Sequence, residues 1–349
     1  MARTTIGDVA REAGVSVSTV SRALRGLDKV NPQTRKRVEG AAERLHFSFS
    51  KSASSLASGK TMRVAVLLPN GISGWFTSHA FEGVYEVLSQ EGYDVIPYVM
   101  WEKKNLDRFV QGLPGSQNVD AVVVVSFALT EDQTRILREM TVPVLGLNTP
   151  NDDGFSATAR VDDIAAMRSP VRLLHSLGHR SLAYVEQPEI SPFLSTSDLR
   201  SRGFSEAAAA LGYDEENILL IPAVGHTGMK SEQDEFSGIA AQLMSAPSAP
   251  TGVCVENDKV ATSLVKELRR LGVDVPGDMS VIGFDDDYRA SLMELTTVHQ
   301  DPLETGRLIG RKTLTLMRGE TLDEPYTVIP TSLVLRDTTN AAPRSGHDE

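Results

Sequence analysis

A chain of 349 residues with 41% hydrophobic and 23% charged side chains is long enough for two or three domains and too apolar to be wholly disordered. Its single cysteine, Cys254, excludes an intramolecular disulfide and a cysteine-based zinc cluster, and the surrounding run Thr251-Gly-Val-Cys-Val reads as a buried strand. The net charge of −11 is uneven: residues 1–60 hold 11 Lys and Arg against 5 Asp and Glu, which leaves 24 against 41 in the remainder. A basic module on an acidic body is what selective contact with phosphates needs, because the body is repelled by the polyanion that the module approaches. No apolar run is long enough to span a membrane, and the N-terminus lacks the apolar stretch of a signal peptide. The expected location is therefore the cytoplasm.

From Thr5 to Leu45 the apolar spacing is helical. Ile6, Val9, Ala10 and Ala13 share one face behind a T-x-x-D start, Thr5 to Asp8, and Gly14 stops this first helix. After a tight turn Ser16 caps a second helix that buries Val20 and Leu24. Asn31-Pro32 opens a third helix, which buries Val38, Ala41, Ala42 and Leu45. Residues 1–47 are thus predicted to form a small all-α helix-turn-helix headpiece. Its second helix would present Val17, Ser18, Ser21 and Arg22 to a DNA major groove, where Arg22 suits a bidentate contact to guanine and Val17 a thymine methyl. Residues 48–61 are serine-rich and read as a linker, although Ala53, Leu56 and Ala57 keep helical spacing.

Beyond the linker, strand-like and helix-like segments alternate. Strands are predicted at 63–69, 94–99, 121–126, 142–147, 181–186, 218–222, 252–256 and 279–284, with helices at 81–91, 164–177, 199–211 and 259–271. Such alternation predicts an α/β body of two doubly wound, parallel-sheet subdomains, with a ligand at the carboxyl ends of the strands. Residues 341–349 are expected to be a disordered tail. His175 and His179 have a spacing two metal ligands could use, but Gly178 breaks the helix and no third ligand is evident, so the stretch reads as a helix-to-strand turn. No dinucleotide fingerprint, phosphate-binding loop or nucleophile elbow appears, and nothing supports an enzyme.

The run from Thr5 to Arg22, Thr-Ile-Gly-Asp-Val-Ala-Arg-Glu-Ala-Gly-Val-Ser-Val-Ser-Thr-Val-Ser-Arg, followed by Val30-Asn-Pro-Gln-Thr-Arg35, resembles the headpiece of the lactose repressor and galactose repressor family of transcription regulators. The resemblance continues in Ser176-Leu-Gly-His-Arg180, Val255-Glu-Asn-Asp258, the stretch Val275 to Asp286 and Leu295-Thr-Thr-Val298, so it covers nearly the whole chain. It implies a homodimer or dimer of dimers on double-stranded palindromic operator DNA, with a periplasmic-binding-protein-like body that clamps a small-molecule effector and needs no cofactor. The absence of a leucine heptad after Asp337 favours the dimer.

Carried over by that resemblance, Val17, Ser18 and Arg22 match base-reading positions. Thr5, Ser16, Thr19, Ser21, Asn31, Thr34 and Arg35 match the DNA-positioning set, and Ala53 and Leu56 match a hinge helix that wedges into the minor groove. The hinge departs from the family pattern: Phe49-Ser50 stands for Pro-Asn, and Ala53-Ser54 for Ala-Arg. For the effector, Arg200 matches a ligand-clamping arginine, Asn257 a ligand-binding asparagine and Asp285 a carboxylate that accepts from sugar hydroxyls. Asn148 stands where many relatives have aspartate, and Trp75 or Phe76 could stack on a sugar face or serve in core or lid packing. By the same resemblance, residues 62–340 form the body, the first subdomain from about 62–160 plus 296–326 and the second from 161–295 plus 327–340. A sugar-responsive repressor is the expected function. A purine- or nucleoside-responsive regulator is the alternative, and a solute-binding transport protein is disfavoured by the headpiece.

Overall fold

The computed structural model describes residues 4–24, 30–47, 60–69, 71–116, 118–140, 142–187, 192–222 and 232–344. The chain divides into two compact units, residues 1–62 and 63–349.

The headpiece consists of α1 (Ile6–Ala13), α2 (Val17–Leu24) and α3 (Pro32–Arg44). Its termini are set by the residues the sequence offers. The Thr5 hydroxyl accepts from the Asp8 amide while the Asp8 carboxylate accepts from the Thr5 amide, and Gly14 takes the left-handed conformation (φ 63°) that ends α1. The Asn31 side chain accepts from the Gln33 amide at 2.8 Å and opens α3 ahead of Pro32. Val9, Ala10, Ala13, Val20, Ala23, Val38, Ala41 and Ala42 form the core that holds the three helices together.

In the body, six strands form a first sheet in the order β11-β5-β4-β3-β1-β2, every pair parallel: β1 (Arg63–Leu68), β2 (Asp94–Val99), β3 (Ala121–Val125), β4 (Val144–Leu147), β5 (Ala157–Val161) and β11 (Tyr326–Ile329). A second sheet runs β12-β10-β9-β8-β6-β7: β6 (Leu182–Val185), β7 (Ile218–Ile221), β8 (Gly252–Val255), β9 (Ser280–Asp285), β10 (Thr296–His299) and β12 (Ser332–Val334). Only β12 pairs antiparallel there, against β10. Fully buried runs such as Val122 to Val125 and Val253 to Val255 are what parallel strands covered on both faces require. The helices are α4 (Trp75–Gln90), α5 (Lys103–Ser116), α6 (Glu131–Arg138), α7 (Asp163–Ala166), α8 (Arg168–Ser176), α9 (Thr196–Ala210), α10 (Glu232–Ser245), α11 (Asp258–Arg270), α12 (Tyr288–Leu292) and α13 (Pro302–Met317).

Four expectations need correction. Residues 296–299 belong to the second subdomain, because β10 pairs with β9 from Thr296↔Ile282 to His299↔Asp285; residues 327–329 belong to the first, because β11 continues along β5. The chain therefore crosses between subdomains after β5, between β10 and α13, and between β11 and β12. The predicted helix at 81–91 starts six residues earlier, at Trp75, where Gly74 supplies no side-chain cap. Residues 341–344 are not loose: the Ala342 amide donates to the Leu177 carbonyl at 2.8 Å.

Candidate DNA interface and effector site

In the headpiece, α2 buries Val20 and Ala23, and this fixes which side chains face outward. Val17 (47% exposed), Ser18 and Arg22 are exposed, and Ser21 is half-buried beside them. The helix starts as the sequence suggested: the Ser16 hydroxyl accepts from the Thr19 amide at 3.2 Å and lies 2.8 Å from the hydroxyls of both Ser18 and Thr19. Three hydroxyls at an exposed helix N-terminus, one turn from an arginine, form a surface suited to phosphate oxygens and base edges. Thr5 and Asn31 are exposed but already act as caps, so their side chains do structural duty as well. Thr34 and Arg35 are half-buried. Ala53 and Leu56 lie outside the described residues.

The body's cluster is centred on Arg200, which projects from α9 with only 6% of its surface exposed. Its Nε donates to Asp163 Oδ1 at 2.7 Å and its Nη1 to the Glu256 carbonyl at 2.9 Å; Asp285 Oδ1 is 3.8 Å from Nη1. The guanidinium lies over the Phe284 ring, 3.7 Å from its centroid. These partners come from the carboxyl ends of β5, β8 and β9, the end of a parallel sheet where ligands are bound. Gln300, just past β10, donates to Asp285 Oδ1 at 2.6 Å. Arg200 Nη2 has no hydrogen-bond acceptor among the described residues, and Asp163 Oδ2 is buried without a donor. A buried polar group left unmatched is costly unless something else satisfies it.

Burial dominates the electrostatics. It raises the Asp285 carboxyl to about 7 against the pull of Arg200, and raises Asp258 to about 8 with help from the Asp285 charge. Burial also pushes up Asp163 and Glu256, whereas the carboxylates of Asp163 and Asp285 keep the Arg200 guanidinium firmly charged. Asp258 is held from two sides, by the Thr297 hydroxyl at 2.7 Å and the Asp287 amide at 2.9 Å.

Of the residues predicted from sequence, Arg200 and Asp285 come together. Asn257 sits beside Glu256; its Oδ1 accepts from the Val260 amide at 3.0 Å to start α11, and its Nδ2 reaches Gln187 Oε1 at 3.4 Å. Asn148, at the end of β4, is buried in a left-handed conformation (φ 49°), and its Oδ1 accepts from the Val161 amide at 3.0 Å. That bond ties the ends of β4 and β5 together. Trp75 and Phe76 open α4 and are half-buried, with the Trp75 ring 5.2 Å from the His79 ring. Arg202, the unusual neighbour of Arg200, points elsewhere and pairs with Glu206 at 2.7 Å.

Sequence reasoning missed Asp163, Glu256, Phe284 and Gln300. Glu256 and Phe284 lie inside the motifs that carry the family resemblance and were within reach; Asp163 follows a strand whose apolar pattern is interrupted by Arg160. The His175–His179 pair is not a metal site in shape: His179 Nδ1 faces Thr251 Oγ1 at 2.9 Å and Nε2 the Asn340 carbonyl at 3.1 Å. No group of His, Cys, Asp and Glu among the described residues could hold a metal ion, and no described helix is long and apolar enough to cross a membrane.

Comparison with known proteins agrees with this division. Residues 5–49 match the family of bacterial regulatory proteins described as the lacI family, and residues 171–339 match a periplasmic binding protein-like domain. The HTH-type transcriptional regulator RegA of Clostridium saccharobutylicum is 28% identical over 96% of this chain and 99% of its own length. Among solved structures, the transcriptional regulator CelR in complex with cellobiose is 26% identical, with a TM-score of 0.66 over 96% of this chain and all of that one. The fold is also that of the lac repressor dimer bound to operator and the anti-inducer ONPF, with a TM-score of 0.83 over 97% of this chain and all of that one, at 24% identity. The relatives carry the names of regulators, not enzymes. A lacI-family helix-turn-helix region at residues 5–49 and a periplasmic binding protein-like domain at residues 171–339, in a chain similar over nearly its full length to bacterial transcription regulators, mark a DNA-binding regulator with a small-molecule effector.

Proposed function

We propose that the chain is a cytoplasmic, homodimeric repressor of a palindromic operator, and that a sugar bound at Arg200 and Asp285 acts as its inducer. In this reading Val17, Ser18 and Arg22 read base edges. Thr5, Ser16, Thr19, Ser21, Asn31, Thr34 and Arg35 set the headpiece on the phosphates, and Ala53 and Leu56 belong to a hinge that meets the minor groove. The observation that carries the effector reading is the buried Arg200, whose Nη2 edge lacks an acceptor among the described residues while Asp285 stands 3.8 Å away with most of its surface covered. A guanidinium fork beside a carboxylate offers donors and acceptors at the spacing of vicinal hydroxyls, and the Phe284 face fixes the fork in place. In this reading Asn148, Asn257, Trp75 and Phe76 complete the wall around the sugar. The cellobiose complex of CelR supports the sugar class. The effector shifts the regulator between DNA-binding and DNA-free forms only by its differential affinity for the two.

The test is selection of genomic fragments by the purified chain at near-physiological salt, with the bound DNA sequenced in the absence and presence of a sugar panel and a nucleoside panel. The expected result is a palindrome that is enriched alone and lost with one sugar. The Arg22→Ala variant is expected to enrich nothing while keeping its helical circular dichroism. Enrichment without a palindrome would overturn the operator reading, and release by nucleosides alone would overturn the sugar.

A further inference from the structure

A second concavity in the body lies away from Arg200's charged head but against the same elements. Helices α8 and α9, with Ile164 of α7, enclose a groove of about 370 Å³. Along α9 its wall is formed by Ala207, Ala210 and Leu211. Residue 203 is glycine for a steric reason: a Cβ there would lie 2.7 Å from the Ile164 backbone, so α9 rests directly on the start of α7. Along α8 the wall is Arg168 and Arg172, four residues apart and therefore on one helix face. Both are exposed, and neither has an ion-pair or hydrogen-bond partner among the described residues. Glu206, the acid in the lining, is already bound to Arg202. By contrast Arg160, Arg270, Arg307 and Arg336 are all tied to carboxylates.

We propose that this groove is a second ligand site, for a small amphipathic organic anion whose carboxylate or phosphate head is gripped by Arg168 and Arg172. Two guanidinium groups one turn apart match the paired oxygens of such a head, and the Ala207, Ala210 and Leu211 wall takes an apolar body. The volume is that of a small-molecule pocket. The groove is also coupled to the first site through the backbone. Ile164 follows Asp163, and Gly203 lies one turn beyond Arg200, so an occupant that moves α9 against α7 moves both partners of the Arg200–Asp163 bond. Binding at the two sites is then reciprocal: whatever one ligand does to the affinity of the other, the other returns.

Isothermal titration of the full chain with phenyl phosphate, benzoate and inorganic phosphate tests the site. One organic anion is expected to bind per chain, at least about tenfold tighter than inorganic phosphate, and the ranking of phenyl phosphate against benzoate identifies the preferred head. The double variant Arg168→Gln/Arg172→Gln, and separately Ala210→Trp, which fills the groove from an exposed position, are each expected to weaken that binding by about tenfold or more with unchanged circular dichroism and operator affinity. Inorganic phosphate binding as tightly as the organic anions would reduce the site to two surface charges and overturn the proposal. Undiminished binding by the double variant, or no saturable binding of either organic anion, would also overturn it.

Discussion

Arg200 and Asp163 form an ion pair of 2.7 Å in which the side chains are 7% and 1% exposed. Such a pair contributes little net stability when intact, because both charges have left water, but breaking it leaves one charge buried and alone. Arg200→Ala is therefore expected to lower unfolding free energy by about 3–5 kcal/mol and to abolish the effector response. Asp163→Asn keeps a carbonyl that can accept from Arg200 Nε and should cost less, about 1–3 kcal/mol. Urea unfolding of the three proteins checks this order. An Arg200→Ala midpoint equal to that of the unaltered chain would show that the pair is not isolated from solvent.

Phe193 lies in the chain between β6 and α9 of the second subdomain, yet its ring packs in the core of the first, stacked on Phe127 with centroids 4.7 Å apart. Beside the rings, Phe127 forms an antiparallel bridge to Ser195, and the Ala128 amide donates to the Leu194 carbonyl at 3.0 Å. This strap joins the subdomains independently of the three chain crossings. Phe193→Ala removes a buried aromatic, at a cost of about 3–5 kcal/mol. Hydrogen exchange at the Ala128 amide is expected to accelerate more than at Val123, deep in β3. Equal acceleration at both positions would mean that the strap has no local stability of its own.

These two pairs show what could be read from the sequence and what could not. Arg200 and Asp285 stand in motifs long enough to be matched, and the uninterrupted apolar runs of β1, β3 and β8 declare themselves by composition. Asp163 and the strap do not. The strand before Asp163 has its apolar run broken by Thr158 and Arg160, and α4 begins at Gly74-Trp75 without a capping side chain, so both lack the local signals from which starts are read. The placement of β10 in the second sheet was out of reach for another reason: periodicity marks a strand but not its hydrogen-bonding neighbour, and the partner β9 is fixed by tertiary packing.

Glycine positions on helices separate into two kinds, with opposite expected effects. A Cβ on Gly306 in α13 would meet the Ala80 carbonyl of α4 at 2.3 Å, and one on Gly83 would meet the Leu303 carbonyl at 2.2 Å, so the two backbones touch. Alanine gains at most about 1 kcal/mol in helix propensity, less than the overpacking cost of about 1–3 kcal/mol expected when neither backbone can yield. Gly306→Ala should therefore destabilise. At Gly112 in α5 no described residue lies within 4 Å of the added carbon, and Gly112→Ala should raise the melting temperature. Thermal melts of both variants decide it, and a Gly306→Ala protein as stable as Gly112→Ala would contradict the close helix contact.

His179 supplies a pH dependence whose sign follows from its partners. The Asn340 carbonyl can only accept, so Nε2 carries the proton and Nδ1 accepts from the Thr251 hydroxyl; the neutral ring is fully matched. Burial holds its pKa below the ordinary 6.5, with the Asn340 carbonyl opposing and the Arg180 charge assisting. The unfolded chain thus binds a proton before the folded one does. The stability contributed by the neutral ring is complete above pH 6.5 and is lost as pH falls through 6.5 and on through the lower folded value. Other carboxylates titrate in the same acid range, so the informative quantity is the difference between the unaltered chain and His179→Gln, whose amide donates to Asn340 but takes up no proton. That difference should shrink on going from pH 7.5 to pH 5.5 in urea unfolding. A difference that stays constant would place His179 in contact with water and remove its part in anchoring the C-terminal segment to β8.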